Sequence, residues 1–334
     1  MFEYSFKTRA YRLYGPQLFK ITKLYAKLRF NFTAEHQVEL YSMLWDRFLA
    51  KKFLSEHWQV NGTAAYQLPW RKKTNKLYIL GSGGSINDIT DDEWNTIKQH
   101  DSIGVNYFYF HKFKPTAHFV ELGKSKAAFD CVHKYLLCNK ERTEPVFMQI
   151  RHLINNEVTL QSAKNRVHLY SPTTMQSKNI DILRQYLKFS YLPLWKKSPL
   201  IQHSSTLDCV INFAVRQGYK EICLVGVDLN NNQYFWDLSS DNMHYHEAIN
   251  AVNEDYKIAN WVRNENTCHA TVNKELTNKY NCLDLITYLQ LLNEVIFIIN
   301  GIKLVVSNKN SLLASYFPYQ SINDFSNYES TNNE

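Results

Sequence analysis

Apolar residues fall along this chain in two rhythms. Over residues 10–30 (AYRLYGPQLFKITKLYAKLRF), Leu18, Ile21, Tyr25 and Leu28 recur at helical spacing, with Lys20, Lys23, Lys27 and Arg29 beside them. The pattern predicts a basic amphipathic helix, either packed on the body with a solvated face or laid on an anionic membrane surface. Thr33 is placed as the N-cap of a second helix over 34–53, with Glu35 in its first turn. Residues 57–75 read as a connector broken by Gly62 and Pro69.

Beyond residue 76 short apolar runs alternate with helical stretches. Strands are predicted over 77–80, 102–107, 117–121, 145–149, 221–227 and 302–306. Helices are predicted over 90–100, 127–138, 207–217 and 283–299. Strands and helices of these lengths in alternation predict an α/β fold, a Rossmann-like doubly wound and mostly parallel sheet. The chain then divides into a basic helical N-terminal extension (1–75), an α/β body (76–320) and a polar, disordered tail (321–334), with no internal repeat.

Composition sharpens this division. The net charge is +7, but residues 1–76 carry 14 Lys and Arg against 5 Asp and Glu, while the remainder carries 24 against 26. The basic character therefore belongs to the extension, and no nucleic-acid partner is implied for the body. The 45% hydrophobic content over 334 residues allows a sizeable core. Six cysteines without a CxxC pair read as reduced thiols. The first 15 residues lack a continuous apolar core, and 295–306 is too short to span a bilayer. The expectation is a cytoplasmic protein, with peripheral membrane contact through residues 10–30.

Only ten glycines occur, and three fall within Gly81-Ser82-Gly83-Gly84-Ser85, directly after the first strand of the body. Glycines let backbone amides approach a phosphate, and a following helix offers its positive end. The loop is not a dinucleotide fingerprint, because Ile86 stands where GxGxxG needs glycine, nor a P-loop, which ends in Gly-Lys-Ser/Thr. A tight turn without ligand is the plainer alternative. A nicotinamide dehydrogenase is disfavoured further by Asn106, where an acid would end the second strand.

Three further stretches carry a family resemblance: GVNYFYF (104–110), SSTLDCVINFAVRQGYKEICLVGVDL (204–229) and GIKLVVSNKNSLLASY (301–316). In this order they resemble the bacterial sialyltransferases of glycosyltransferase family 42. Those proteins show a Gly-Asn-Gly-Pro-Ser loop, a Cys-Asn-Gln-Phe-Tyr-Phe strand end, Gly-Tyr-Lys-Glu-Ile leading to Gly-Ile-Asp, and a late Asn-Ser-Leu-Leu-Ala. The resemblance covers about residues 77–316, in patches. It implies a GT-A-like sialyltransferase variant of the Rossmann-like fold, with a small lid around 232–282. The implied activity is metal-independent transfer of a nonulosonic acid, sialic or pseudaminic, from its CMP ester to a hydroxyl of a bacterial cell-surface glycan such as capsule or lipopolysaccharide. The donor is a substrate, so no cofactor is implied; the acceptor is a glycan or lipid-linked oligosaccharide.

Residue by residue, the resemblance puts Ser82, Gly83, Gly84 and Ser85 in the donor-phosphate loop, with Ser82 replacing the family's Asn. It puts Asn106 against the nucleotide, Ser205 and Thr206 at an anion-binding helix start, and Asp228 near the ribose. His203 stands where the family has Arg. Tyr234 matches one of two phosphate-binding tyrosines, and Asn230 occupies the place of the other. An inverting transfer needs a base for the acceptor hydroxyl, for which histidine suits neutral pH. Met243-His244-Tyr245-His246 resembles the family's lid motif, giving His246 first and His244 second, with His269 left open. The His-x-His pair lacks a third ligand at zinc spacing, so no metal is assigned. Tyr234, Phe235 and Trp236 fit a sugar-covering lid or an apolar loop packed on the body. A pterin or nucleotide diphosphokinase on the same fold and a non-catalytic binding module are the alternatives.

Overall fold

The five-residue run KLYIL forms the central strand β1 (Lys76–Leu80), with every side chain buried. Leu77 and Ile79 face one helical layer while Tyr78 and Leu80 face the other. Such a strand reads as a continuous apolar run, as in a sheet covered on both faces. The structure, a computed structural model, describes residues 70–121, 125–149, 166–170, 172–175, 177–190, 200–237, 245–258, 268–279 and 281–327, with Gln17 and Lys20. The helices expected over 10–30 (apart from those two residues) and 34–53, and the tail beyond 327, lie outside the described residues.

The other strands are β2 (Asp101–Val105), β3 (Ala117–Val120), β4 (Val146–Gln149), β5 (Val167–Tyr170), β6 (Thr173–Thr174), β7 (Ile201–Gln202), β8 (Glu221–Val225) and β9 (Lys303–Val306). Seven form one sheet in the order β5-β4-β3-β2-β1-β8-β9, and every pairing is parallel. β6 and β7 pair separately. From β1 the chain winds outward through β2 to β5, then returns to lay β8 on the other side of β1. The strand order therefore reverses between β1 and β8. The crevice beyond the carboxyl ends of those two strands is where open α/β sheets bind ligands.

The described helices are α1 (Asp91–Lys98), α2 (Lys126–Cys131), α3 (Ile180–Ser190), α4 (Thr206–Arg216), α5 (His246–Ile258), α6 (Lys274–Lys279), α7 (Leu285–Leu292) and α8 (Ile322–Asn327). On one face, Val210 and Phe213 of α4 and Tyr288 and Leu292 of α7 pack against Leu77, Ile79, Ile103 and Phe119. On the other, Trp94 and Ile97 of α1, Ala248 and Val252 of α5 and Phe325 of α8 pack against Tyr78, Leu80 and Val225. A third cluster joins Ala128 and Cys131 of α2 to Val120, Val146 and Met148. Thr90 starts α1 with a reciprocal cap: its hydroxyl accepts from Glu93 N–H, and the Glu93 carboxylate accepts from Thr90 N–H.

Several predicted elements end early, for local reasons. The strand predicted over 102–107 stops at Val105, because Asn106 takes φ 49° and Asn106–Phe110 coils into a 3₁₀ turn. The strand predicted over 221–227 stops at Val225, where Gly226 takes φ 66°. The helices predicted over 127–138 and 283–299 begin as α2 and α7, then widen into π-helical turns at Val132–Leu137 and Asn293–Phe297. The disordered tail expected from 321 is corrected over its first part. α8 forms there, Ile322 and Phe325 are buried, and Lys76 Nζ donates to the carbonyls of Phe325 and Ser326 at 2.7 Å each. Among the described residues no helix is long and apolar enough to cross a membrane.

Candidate active site

A cleft with about 840 Å³ of empty space, its mouth included, opens at the reversal point between β1 and β8. Its wall includes Gly81, Ser82 and Gly83 after β1, Asn106 and Tyr107 after β2, Ser205 and Thr206 at the start of α4, Asp228 and Tyr234 after β8, and His269.

The glycine loop is held by the segment after β8. Gly81 N–H donates to Val225 O at 2.7 Å and Gly83 N–H to Gly226 O at 2.8 Å. A Cβ on Gly81 would sit 2.4 Å from Gly226 O, and one on Gly83 would sit 2.4 Å from Asp228 Oδ2. Close backbone approach therefore requires glycine at both places. Asp228 completes the bracket. Its Oδ2 accepts from Ser85 N–H at 3.0 Å, and its Oδ1 accepts from Ser85 Oγ at 2.6 Å and Asn308 Nδ2 at 2.7 Å. The carboxylate expected near a ribose is thus engaged in bracing the loop. Two expectations for the loop change accordingly: the amides of Gly83 and Ser85 are already spent within the protein, and Gly84 and Ser85 lie off the cleft wall.

At α4 a single carboxylate organises the helix start. Asp208, in the first turn, accepts from the N–H groups of His203 (3.0 Å), Ser204 (2.7 Å) and Ser205 (2.8 Å) and from Ser205 Oγ (3.0 Å). The first helical N–H groups, those of Thr206 and Leu207, have no intrahelical acceptor and belong to residues lining the cleft. The Thr206 hydroxyl donates to Glu121 Oε2 at 2.8 Å. His203, in the family's Arg place, is fully buried and turned away. It stacks on Tyr288 at 4.4 Å, with its ring nitrogens 2.7 Å from Met175 O and 3.2 Å from Leu283 O.

Asn106 reaches the wall in a left-handed conformation that asparagine tolerates. Its Oδ1 accepts from Glu121 N–H at 3.0 Å. Two tyrosines of the wall are tied to consecutive residues of α5: Tyr107 donates to Asp255 Oδ2 at 2.7 Å, and Tyr234 Oη lies 3.1 Å from Tyr256 Oη. Burial, then the Asp255 carboxylate, pushes the Tyr107 hydroxyl well above its usual range, so it stays a neutral donor. Tyr234 stacks on Trp236 at 4.5 Å. Phe235 and Trp236 are buried in the core, whereas Tyr234 of the same cluster lines the cleft. Asn230 lies off the cleft wall and donates to Asn310 O.

The three candidate bases separate. His246 begins α5, is exposed and lies off the cleft wall. His244 lies outside the described residues. His269 lines the cleft. Its N–H donates to Leu229 O at 3.1 Å, and its Nδ1 is 2.9 Å from Thr271 Oγ1. Asn232 holds the same segment by donating to Cys268 O at 3.0 Å. Leu229 presents its carbonyl from φ 63°, a strained conformation for leucine costing roughly 1–2 kcal/mol. Burial alone pushes the His269 ring down to about 4, so it is neutral near pH 7.

Tyr107, Leu229, Asn232 and Thr271 escaped the sequence reading. Only the NNN run over 230–232 hinted at a polar wall. No lysine or arginine lines the cleft among the described residues, and none of their His, Cys, Asp and Glu side chains cluster to hold a metal ion. The wall offers neutral donors, one helix terminus, one neutral base and the Asp228 carboxylate, which is engaged by Ser85 and Asn308. Such an arrangement can hold a weakly charged phosphoester and accept a proton beside it.

No protein-family model and no curated protein matches the chain. Among solved structures it is similar to the sialyltransferase CstII from Campylobacter jejuni, solved with the substrate analogue CMP-3FNeuAc. There the identity is 21% and the TM-score 0.42, with 75% of this chain and 88% of that one covered. The monofunctional alpha-2,3-sialyltransferase Cst-I from Campylobacter jejuni shows 19% identity and TM-score 0.44, covering 81% and 90%. CST-II in complex with a trisaccharide acceptor and CMP shows 19% identity and TM-score 0.40, covering 76% and 89%.

Proposed function

We propose that the cleft binds a cytidine monophosphate sugar and that the chain is a glycosyltransferase moving a nonulosonic acid, sialic or pseudaminic, to a hydroxyl of a bacterial cell-surface glycan. The observation that carries this reading is the meeting of the Gly81–Gly83 turn, the start of α4 and His269 on one cleft at the strand-order reversal. The family resemblance in sequence supports the choice of donor.

Charge supports a monophosphate ester over a nucleoside triphosphate. The CMP ester of a nonulosonic acid carries one negative charge on its phosphodiester and one on the sugar carboxylate, less than a nucleoside triphosphate, and a helix terminus with neutral hydroxyl and amide donors can match the phosphodiester. A diphosphokinase must neutralise a polyphosphate with cationic side chains or magnesium. The wall described here has neither lysine nor arginine.

In the proposed reaction His269 takes the proton of the acceptor hydroxyl as that oxygen attacks the anomeric carbon. The bond from that carbon to the phosphate oxygen breaks, and CMP departs with the bonding pair. Negative charge then grows on the phosphate, where Ser82, the Thr206 N–H and Tyr234 are the donors at hand. The basic segment 1–76 supports contact with an anionic membrane surface carrying a lipid-linked acceptor.

The test is incubation with CMP-sialic or CMP-pseudaminic acid, following CMP release. Release lost in His269→Ala and kept in His246→Ala supports the reading. Absence of CMP binding, or ATP bound in preference to CMP, overturns it.

A further inference from the structure

Every strand pairing in the large sheet is parallel, so the loops that enter its strands share one edge, opposite the cleft. On that edge, in the turn before β9, Ile298 and Ile299 are 68% and 70% exposed, more than any other large apolar side chain among the described residues. Single exposed apolar residues are ordinary, but two adjacent isoleucines make an apolar tip. The turn holds them outward on a hydrogen-bonded platform. Asn300 N–H donates to the carbonyls of Ile296 and Phe297 at 3.1 Å each, and Ile302 N–H returns to Phe297 O at 2.9 Å. Asn300 Nδ2 donates to Ile296 O at 2.6 Å, and Gly301 closes the turn at φ 61°.

Cations lie beside this tip. Lys220 Nζ donates to Asn300 O at 2.7 Å, and Lys72 Nζ donates to Gly218 O at 2.8 Å. Arg71 and Lys73, both exposed, extend the charge along the loop that enters β1. The loops into β1, β8 and β9 (70–75, 217–220 and 298–302) contain no acid. Asp101 and Glu221, at the starts of β2 and β8, are buried, and Glu294, one turn before the tip, pairs with Arg184 at 3.2 Å. Bonds to loop carbonyls account for the placement of the two lysines, but not for the isoleucines between which and solvent nothing intervenes. The basic segment 1–76 also joins the body at this edge, where Trp70 Nε1 donates to Tyr219 Oη at 2.7 Å. Apolar side chains flanked by exposed cations match an anionic bilayer, whose headgroup layer takes the former and whose phosphates attract the latter.

We propose that this edge of the body docks on an anionic lipid surface, with Ile298 and Ile299 entering the headgroup layer and Arg71, Lys72, Lys73 and Lys220 meeting lipid phosphates. The surface lies outside the cleft and does not depend on what the cleft binds. It sets an orientation for the molecule. The cleft opens at the far ends of the strands, and β1 has five residues, so the cleft stands about 17 Å or more from the lipid. Soluble donor reaches it freely, and a lipid-linked acceptor reaches it through the far end of a glycan long enough to rise that distance.

The experiment is co-sedimentation of the full chain with vesicles of phosphatidylcholine alone and of phosphatidylcholine mixed with phosphatidylglycerol, at low and high salt. Two variants are compared with the wild type: Ile298→Ser with Ile299→Ser, and Lys72→Gln with Lys73→Gln and Lys220→Gln. All five side chains are exposed, so melting curves should show both variants folded. The wild type should bind the mixed vesicles, release at high salt and leave phosphatidylcholine alone unbound. Each variant should bind the mixed vesicles about tenfold more weakly or worse. Segment 1–76 carries its isoleucine and most of its cations in every sample, so a loss caused by Ile298 and Ile299 belongs to the body. No vesicle binding by the wild type, or binding unchanged in either variant, overturns the proposal. So does a wild-type oligomer that the isoleucine variant turns to monomer without weakening lipid binding, which would make the tip a protein interface. CMP affinity should match the wild type in both variants. Docking on vesicles without transfer from a CMP-sugar would sink the glycosyltransferase reading and leave this surface standing; transfer without docking would do the reverse.

Discussion

Binding of CMP should raise the pKa of His269 by about two units. In the free protein burial pushes the ring down from 6.5 to about 4, and no charged side chain is resolved as acting on it. A shift of that size corresponds to about 3 kcal/mol against the imidazolium. A base that weak accepts a proton poorly. No carboxylate is resolved as acting on the ring, and the phosphate of the bound nucleotide brings a negative charge into the same cleft. One unit charge about 6 Å from the ring, at an effective dielectric of about 20, stabilises the imidazolium by about 2.8 kcal/mol, or roughly two pKa units. The ring would then titrate at about 6 in the complex. A base must be deprotonated, so activity falls as pH drops through its pKa. The acid limb of kcat/KM, which reports the free enzyme, should lie near pH 4, and that of kcat, which reports the complex, about two units higher. The direct assay is an NMR titration of His269 with and without saturating CMP. A pKa that stays near 4 with CMP bound would refute the reasoning, because the phosphate would then lie elsewhere.

Four further outcomes follow from the geometry. Gly83→Ala places a Cβ 2.4 Å from Asp228 Oδ2 and 2.8 Å from Gly226 O, so the loop must shift; calorimetry should show CMP affinity reduced by about tenfold or more, since roughly 1.4 kcal/mol corresponds to tenfold. Asp228→Ala leaves Ser85 and Asn308 without their acceptor and should cost about 1–3 kcal/mol in urea unfolding, together with loss of CMP binding. Arg142→Ala strips donors from the carbonyls of Tyr109, His111 and Phe113 and from Glu144, in a buried setting; a loss of about 3–5 kcal/mol is expected by the same method. Burial, helped by Lys112 and Arg142, also holds His111 at about 4. Both His111 and His269 therefore bind protons more weakly folded than unfolded, so stability is complete above pH 6.5 and declines as pH falls toward 4. Melting curves at pH 7 and pH 5 should show this drop, and it should shrink in His269→Asn.

The sheet was legible because buried parallel strands are written as apolar runs. KLYIL and EICLV need no partner to be recognised, and the glycines after β1 mark the close approach to β8. α5 was hidden because its core stripe of Ala248, Ile249, Val252 and Tyr256 is half small or only partly buried and is set among polar and charged residues. α8 was hidden in the same way: only Ile322 and Phe325 carry the packing of an otherwise polar segment. At the site, residue type predicted the neighbourhood better than the role. Asp228 reads as a ligand contact but is used to hold a loop. His246 lay nearer the matched motif, yet it heads an exposed helix turn, while His269 is brought to the cleft by the Leu229 carbonyl and Asn232. Those are long-range contacts that no local pattern records.

The measurement that bears most directly on the whole account is a crystal structure of the protein with CMP. It should show the phosphate within hydrogen-bond reach of Ser82, the Thr206 N–H and Tyr234, with the His269 ring beside it. A cytidine bound away from the β1–β8 reversal, or a cleft filled by its own side chains, would contradict it.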